Sequence, residues 1–144
     1  GGFSALGRNI YHVGPIGSGV SIKLVNNLLY AITMCATAEA LALGRRMGLD
    51  IKTMVEILGN SSASSYALNK KVTNYIIPED FAPGFSIDLL TKDMDLAIEM
   101  AKQAGFPLML GTFTRQLYQI TKNSGFGDKD NSCIIKVFEG KIEL

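Results

Sequence analysis

Apolar and polar positions along this chain recur with the period of helices, and almost nowhere with that of strands. Over residues 24–44 a single charge, Glu39, interrupts an apolar run. Such a run could span a bilayer. Asn26, Asn27, Thr33, Thr37 and Glu39 break it, however, and no second run follows. The pattern predicts a central helix over residues 18–47, about 45 Å long at about 1.5 Å per residue, buried among other helices rather than in lipid. Gly48 would end it, with Arg45 and Arg46 beside its negative C-terminal end. Ile51, Met54, Val55 and Leu58 then follow Asp50, a candidate cap, at helical spacing. A third helix is expected over residues 66–75. A fourth opens at Ser86 or Asp88, carries the stripe Leu89, Leu90, Met94, Ala97, Ile98 and Ala101, and ends at Gly105. A fifth runs from Pro107 to about residue 123, and a short sixth follows a cap at Asp130 or Asn131 and reaches Phe138. Only residues 9–13, "NIYHV", read as a strand. The expected fold is all-α, built around one long helix, with a strand stub in front.

Composition narrows the function classes. The 144 residues are 47% apolar and 19% charged, with a formal net charge of +1, so nothing points to nucleic acid or an acidic membrane surface. Cys35 and Cys133 are far apart and lack a CxxC partner, which suits a reducing compartment such as the cytoplasm. With one histidine, no zinc or other metal site is expected. The first residues show no secretory pattern. A helix this long in so short a chain would leave apolar surface uncovered in a lone copy, so a homodimer or tetramer through that helix is expected.

Candidate chemistry gathers in "GPIGSGVSIKLVNN". Glycines between a strand and a helix suggest a dinucleotide loop, with Glu39 where a ribose-binding acid would sit. The reading fails because the third glycine position, counted from Gly17, is Ile22, the helix is too long for a crossover, and no second strand follows. What remains is the helix face. Lys23, Asn26 and Asn27 stand at i, i+3 and i+4, on one side of the first turns. A cation and two carboxamides ahead of an apolar run are costly to bury without partners or a purpose. The helix start favours an anion such as a carboxylate, and a lysine there is a candidate proton carrier. The alternative is a solvated lysine with amides that cap or bridge helices.

The same stretch resembles the G-x-x-G-x-G-x-x-x-K-x-x-N-N signature that opens the C-terminal domain of β-hydroxyacid dehydrogenases, the 3-hydroxyisobutyrate dehydrogenase-like family. "FSIDLLTKDMDLAIEMAKQAGFPLMLG" is similar to a second family segment, and "NSSASSYALN" to the loop between them, with Tyr66 in place of the usual tryptophan. The resemblance implies the helical fold of the 6-phosphogluconate dehydrogenase C-terminal domain. It divides the chain into residues 1–14, the last strand of a preceding Rossmann domain with its junction, and residues 15–144, a substrate-binding and dimerisation domain. It implies that Lys23 is the catalytic lysine. Gly17, Ser18, Gly19, Asn26 and Asn27 would meet a small 3-hydroxy acid. Phe85, Lys92 and Asp93 would lie near NAD or NADP, held mainly by a Rossmann domain that this sequence does not contain, so this chain by itself is expected to be inactive. Taken without the resemblance, Lys92 would pair with Asp88 one turn back, Asp93 and Asp95 would be a solvated helix face, and Glu39 would pair with a neighbouring cation. A tartronate or succinic semialdehyde reductase, or a helical assembly module without chemistry, are the competing functions.

Overall fold

Helix α1 (Ser18–Arg46) is the axis on which the other helices pack, and it is as long as its apolar pattern predicts. The structure is a computed structural model that describes residues 18–144; the strand expected at residues 9–13, and Gly17, lie outside the described residues. By length and composition α1 could cross a membrane. Its stripe of Ala31, Met34, Ala38 and Leu41 is instead buried against neighbouring helices. The small alanines let those helices approach closely, and the fully buried Tyr118 hydroxyl donates to the Ala31 carbonyl at 3.1 Å. Gly48 ends the helix with a φ of +88°, a conformation costly for any residue with a Cβ.

Asp50 caps α2 (Ile51–Gly59), its carboxylate accepting from the Thr53 amide at 3.0 Å. The next helix departs from expectation. α3 (Ala67–Ile76) is a π-helix, not an α-helix. Its buried positions, Ala67, Leu68, Lys71, Val72 and Ile76, share one face, so Lys71 is buried together with its apolar neighbours. Ser86 caps α4 (Ile87–Gln103), accepting from the Leu89 amide at 3.2 Å. α5 (Met109–Thr121) starts at Met109 rather than Pro107, because Leu108 holds a non-helical φ/ψ of −89°/82°. It continues as a π-turn, Lys122–Phe126. Asp130 then caps a 3₁₀ turn, Asn131–Ile134, that leads into α6 (Ile135–Phe138). No strand occurs among the described residues; an isolated antiparallel bridge joins Ser86 to Asp130. The fold is all-α around one long helix.

Two expected pairings change. Asp88 meets Lys122 at 3.3 Å, from across the bundle, and leaves Lys92 exposed. Glu39 is exposed and makes no ion pair among the described residues, because its helix face points outward. At the other end of α1, Arg45 meets Glu139 at 3.0 Å.

Candidate active site

The first turns of α1 meet the middle of α4. Asn27 is buried, at 2% exposure, and its amide nitrogen donates to Asp93 Oδ2 at 2.7 Å. Asn26, on the exposed flank, donates to Asn27 Oδ1 at 3.2 Å. Lys23 Nζ lies 3.9 Å from the same Asp93 oxygen, with its side chain 42% exposed. A lysine, two amides and a carboxylate thus form one chain of contacts across two helices. The buried amide fixes the carboxylate, and the carboxylate faces an ammonium that still reaches solvent. An ion pair this long and this exposed contributes little to stability. The lysine is therefore held near an anion without being locked to it.

Of the other expected site residues, Ser18 and Gly19 belong to the first helical turn of α1 rather than to the turn before it. Adjacent residues on α4 divide: Asp93 turns toward α1 and Lys92 toward solvent. The half-buried Phe85 stacks on Tyr30 with ring centroids 6.4 Å apart and planes 9° apart. Tyr66 meets Tyr30 edge-on at 6.2 Å.

Tyr30 is the residue that the sequence reading passed over. It continues the spacing of Lys23, Asn26 and Asn27 by one more turn, and that spacing could have found it. Its hydroxyl donates to Asn131 Oδ1 at 2.5 Å. Burial, and secondarily the charge of Asp130, push its phenol far above the usual tyrosine range. Tyr30 therefore stays protonated. A separate groove of about 480 Å³, between α4 and α5, is lined by Asp95, Ile98, Arg115 and Gln119. It contains none of the Lys23 cluster, and convergent chemistry is a better guide to a site than open volume.

An all-α bundle whose longest helix brings a lysine and an asparagine to an aspartate of α4 is in keeping with the resemblance to the hydroxyacid dehydrogenase class. Residues 17–138 match the family model described as NAD-binding of NADP-dependent 3-hydroxyisobutyrate dehydrogenase, and the chain belongs to that family. It is 44% identical over 136 residues to 2-(hydroxymethyl)glutarate dehydrogenase of Eubacterium barkeri, covering 94% of this chain and 45% of that protein. It is 36% identical over 143 residues to NAD-dependent L-serine dehydrogenase of Pseudomonas aeruginosa, covering 95% and 48%. Among solved structures, 3-hydroxyisobutyrate dehydrogenase from Salmonella typhimurium superposes with a TM-score of 0.84 at 28% identity, over 90% of this chain and 46% of that one. The Mycobacterium tuberculosis 3-hydroxyisobutyrate dehydrogenase with L-serine gives 0.82 at 27%, with the same coverage. This chain thus spans about half the length of the curated relatives it matches. The family uses NAD or NADP.

Proposed function

We propose that this chain is the substrate-binding and dimerisation half of an NAD(P)-dependent dehydrogenase that oxidises a 3-hydroxy acid to its semialdehyde, and that Lys23 moves the proton. The convergence of Lys23, Asn27 and Asp93 from two helices carries the reading, because a bundle kept only for assembly has no use for that polar face. NAD(P), when bound, supplies the hydride acceptor. Lys23, open to solvent, first yields a proton to water; as the carbinol carbon then gives up its hydride, the hydroxyl proton passes to the neutral Lys23 Nζ and the C=O bond forms, and reduction runs the same transfer backward. Asp93 stabilises the resulting ammonium. Asn27 holds Asp93 in place, and Asn26 holds Asn27. Gly17, Ser18 and Gly19 meet the substrate, whose carboxylate suits the positive end of a helix. Phe85 and Lys92 face the coenzyme. The rest of the coenzyme site belongs to a preceding Rossmann domain, so this chain alone turns over nothing measurable.

The relatives named for 2-(hydroxymethyl)glutarate and L-serine point to one substrate class, since both compounds carry a primary alcohol on the carbon β to a carboxylate. 3-Hydroxyisobutyrate has the same arrangement. A steady-state panel of such acids with NAD and NADP, run on the full-length protein, tests this; preference for a secondary alcohol would overturn it. Exposed apolar residues on α1, Val25, Leu29 and Leu43, with Met47 just past its end and Met109 and Phe113 on α5, support a homodimer or tetramer. Leu43→Asp should shift the full-length protein toward monomer in light scattering, and an unchanged mass would remove α1 from the interface.

A further inference from the structure

The most heavily bonded side chain outside the Lys23 cluster is Asp130. It is fully buried and gathers five donors. Oδ1 accepts from Lys71 Nζ at 2.6 Å, from the Phe85 amide at 3.0 Å and from the Gly84 amide at 3.3 Å. Oδ2 accepts from the Ser132 amide at 3.1 Å and from the Ser132 hydroxyl. Lys71, 5% exposed on the π-helix α3, also places its ammonium 4.0 Å from the centre of the Tyr75 ring. A Cβ at Gly84 would overlap the Tyr75 hydroxyl, so any larger residue there requires the half-buried Tyr75 ring to move. The segment fixed in this way is the one that enters α4. The Asn131 amide and Asn131 Nδ2 both donate to the Phe85 carbonyl, at 3.0 and 2.8 Å, and Asn131 Oδ1 accepts from Tyr30. The first amides of α4, Ile87 and Asp88, donate to the Lys129 and Gly127 carbonyls at 2.9 and 2.8 Å.

We propose that Lys71 and Asp130 are positioning residues for the dehydrogenase reaction: they clamp the Gly84-Phe85 peptides so that Phe85 stacks on Tyr30 and α4 starts where Asp93 meets Asn27 and Lys23. The proposal rests on the reading of Lys23 as the reacting group. A buried ion pair is by itself weak support for stability, since apolar replacements often do as well. What apolar residues cannot supply is a carboxylate that takes donors from three separate segments at once. Asparagine cannot supply it either, because its single acceptor oxygen would satisfy one side of the hub and leave the other without a partner.

The test is steady-state kinetics of the full-length enzyme carrying Asp130→Asn, Lys71→Met or both, measured well below each variant's melting temperature. A misplacement of about 1 Å costs about 100-fold in rate, so kcat should fall 10- to 100-fold in all three. A purely structural role would lower the melting temperature but leave kcat per folded molecule and KM untouched; that result in a folded variant overturns the proposal. Should none of these fold, Phe85→Leu leaves the hub in place and removes the stack, and wild-type kinetics there would equally overturn it. Lys23→Ala is assayed alongside: turnover by that variant defeats the Lys23 reading whatever the hub variants do, and the hub variants judge the clamp on their own.

Discussion

Lys23 and Asp93 stand 3.9 Å apart with the lysine 42% exposed, whereas Lys71 and Asp130 touch at 2.6 Å with 6% and 0% exposure. The same two residue types serve opposite ends. The first pair is loose and wet enough for its ammonium to change partners. The second is closed on every side, and its two carboxylate oxygens draw donors from three segments of the chain. The contrast follows from placement. Lys23 sits on the solvent-facing flank of the first turns of α1, while Lys71 lies on the buried face of α3.

The largest effect should come from the loose pair. Lys23→Ala in the full-length enzyme should lower kcat by about 10²- to 10⁴-fold, the usual share of a positioned proton carrier, with an unchanged melting temperature. Near-wild-type turnover would erase the functional half of the comparison. The closed pair should show the reverse weighting in stability. Asp130→Ala leaves the Lys71 ammonium buried without a partner, and chemical denaturation should show a loss of about 3–5 kcal/mol. A loss below about 1 kcal/mol, the ordinary worth of a surface pair, would make the two clusters alike.

The core beneath the hub adds a pH test. Burial pushes the Cys35 and Cys133 thiols up to about 12, the charge of Glu39 adding to the first and that of Asp130 to the second. Unfolded thiols ionise near their ordinary value of about 8.5. Between those limits the unfolded chain binds fewer protons than the folded one, so stability falls as pH rises from about 9 toward 12. Below about pH 8 the two thiols contribute no slope. Flat melting temperatures from pH 8 to 11 would contradict the burial. The smallest effect belongs to a third pair, Arg115 with Asp95 at 2.7 Å, where the aspartate is 58% exposed. Asp95→Asn should cost less than about 1 kcal/mol, and less still in high salt.

Much of the loose site could be read from the chain. Lys23, Asn26 and Asn27 share a helix face by spacing alone, whereas Asp93, which the resemblance puts near the coenzyme, becomes their partner only through the packing of α4 on α1. The closed hub could not be read. Lys71 and Asp130 lie 59 residues apart, and Asp130 carried only the signal of a helix cap. Charge pairs failed for a related reason. Asp88 had a lysine one turn away at Lys92 but found Lys122 across the bundle, because helix packing brings distant cations closer than the rotamers of a neighbour allow.

The length of α1 has a mechanical consequence. Lys23 rides one end of a rod whose other end is tied by Arg45 to Glu139, roughly 33 Å away at about 1.5 Å per residue. A tilt of about two degrees about the tied end would swing the lysine by about 1 Å, enough to change a rate about 100-fold. The far end of the helix is thus a fulcrum, and a substitution at Arg45 or Glu139, remote from any substrate, would be felt at the reacting proton.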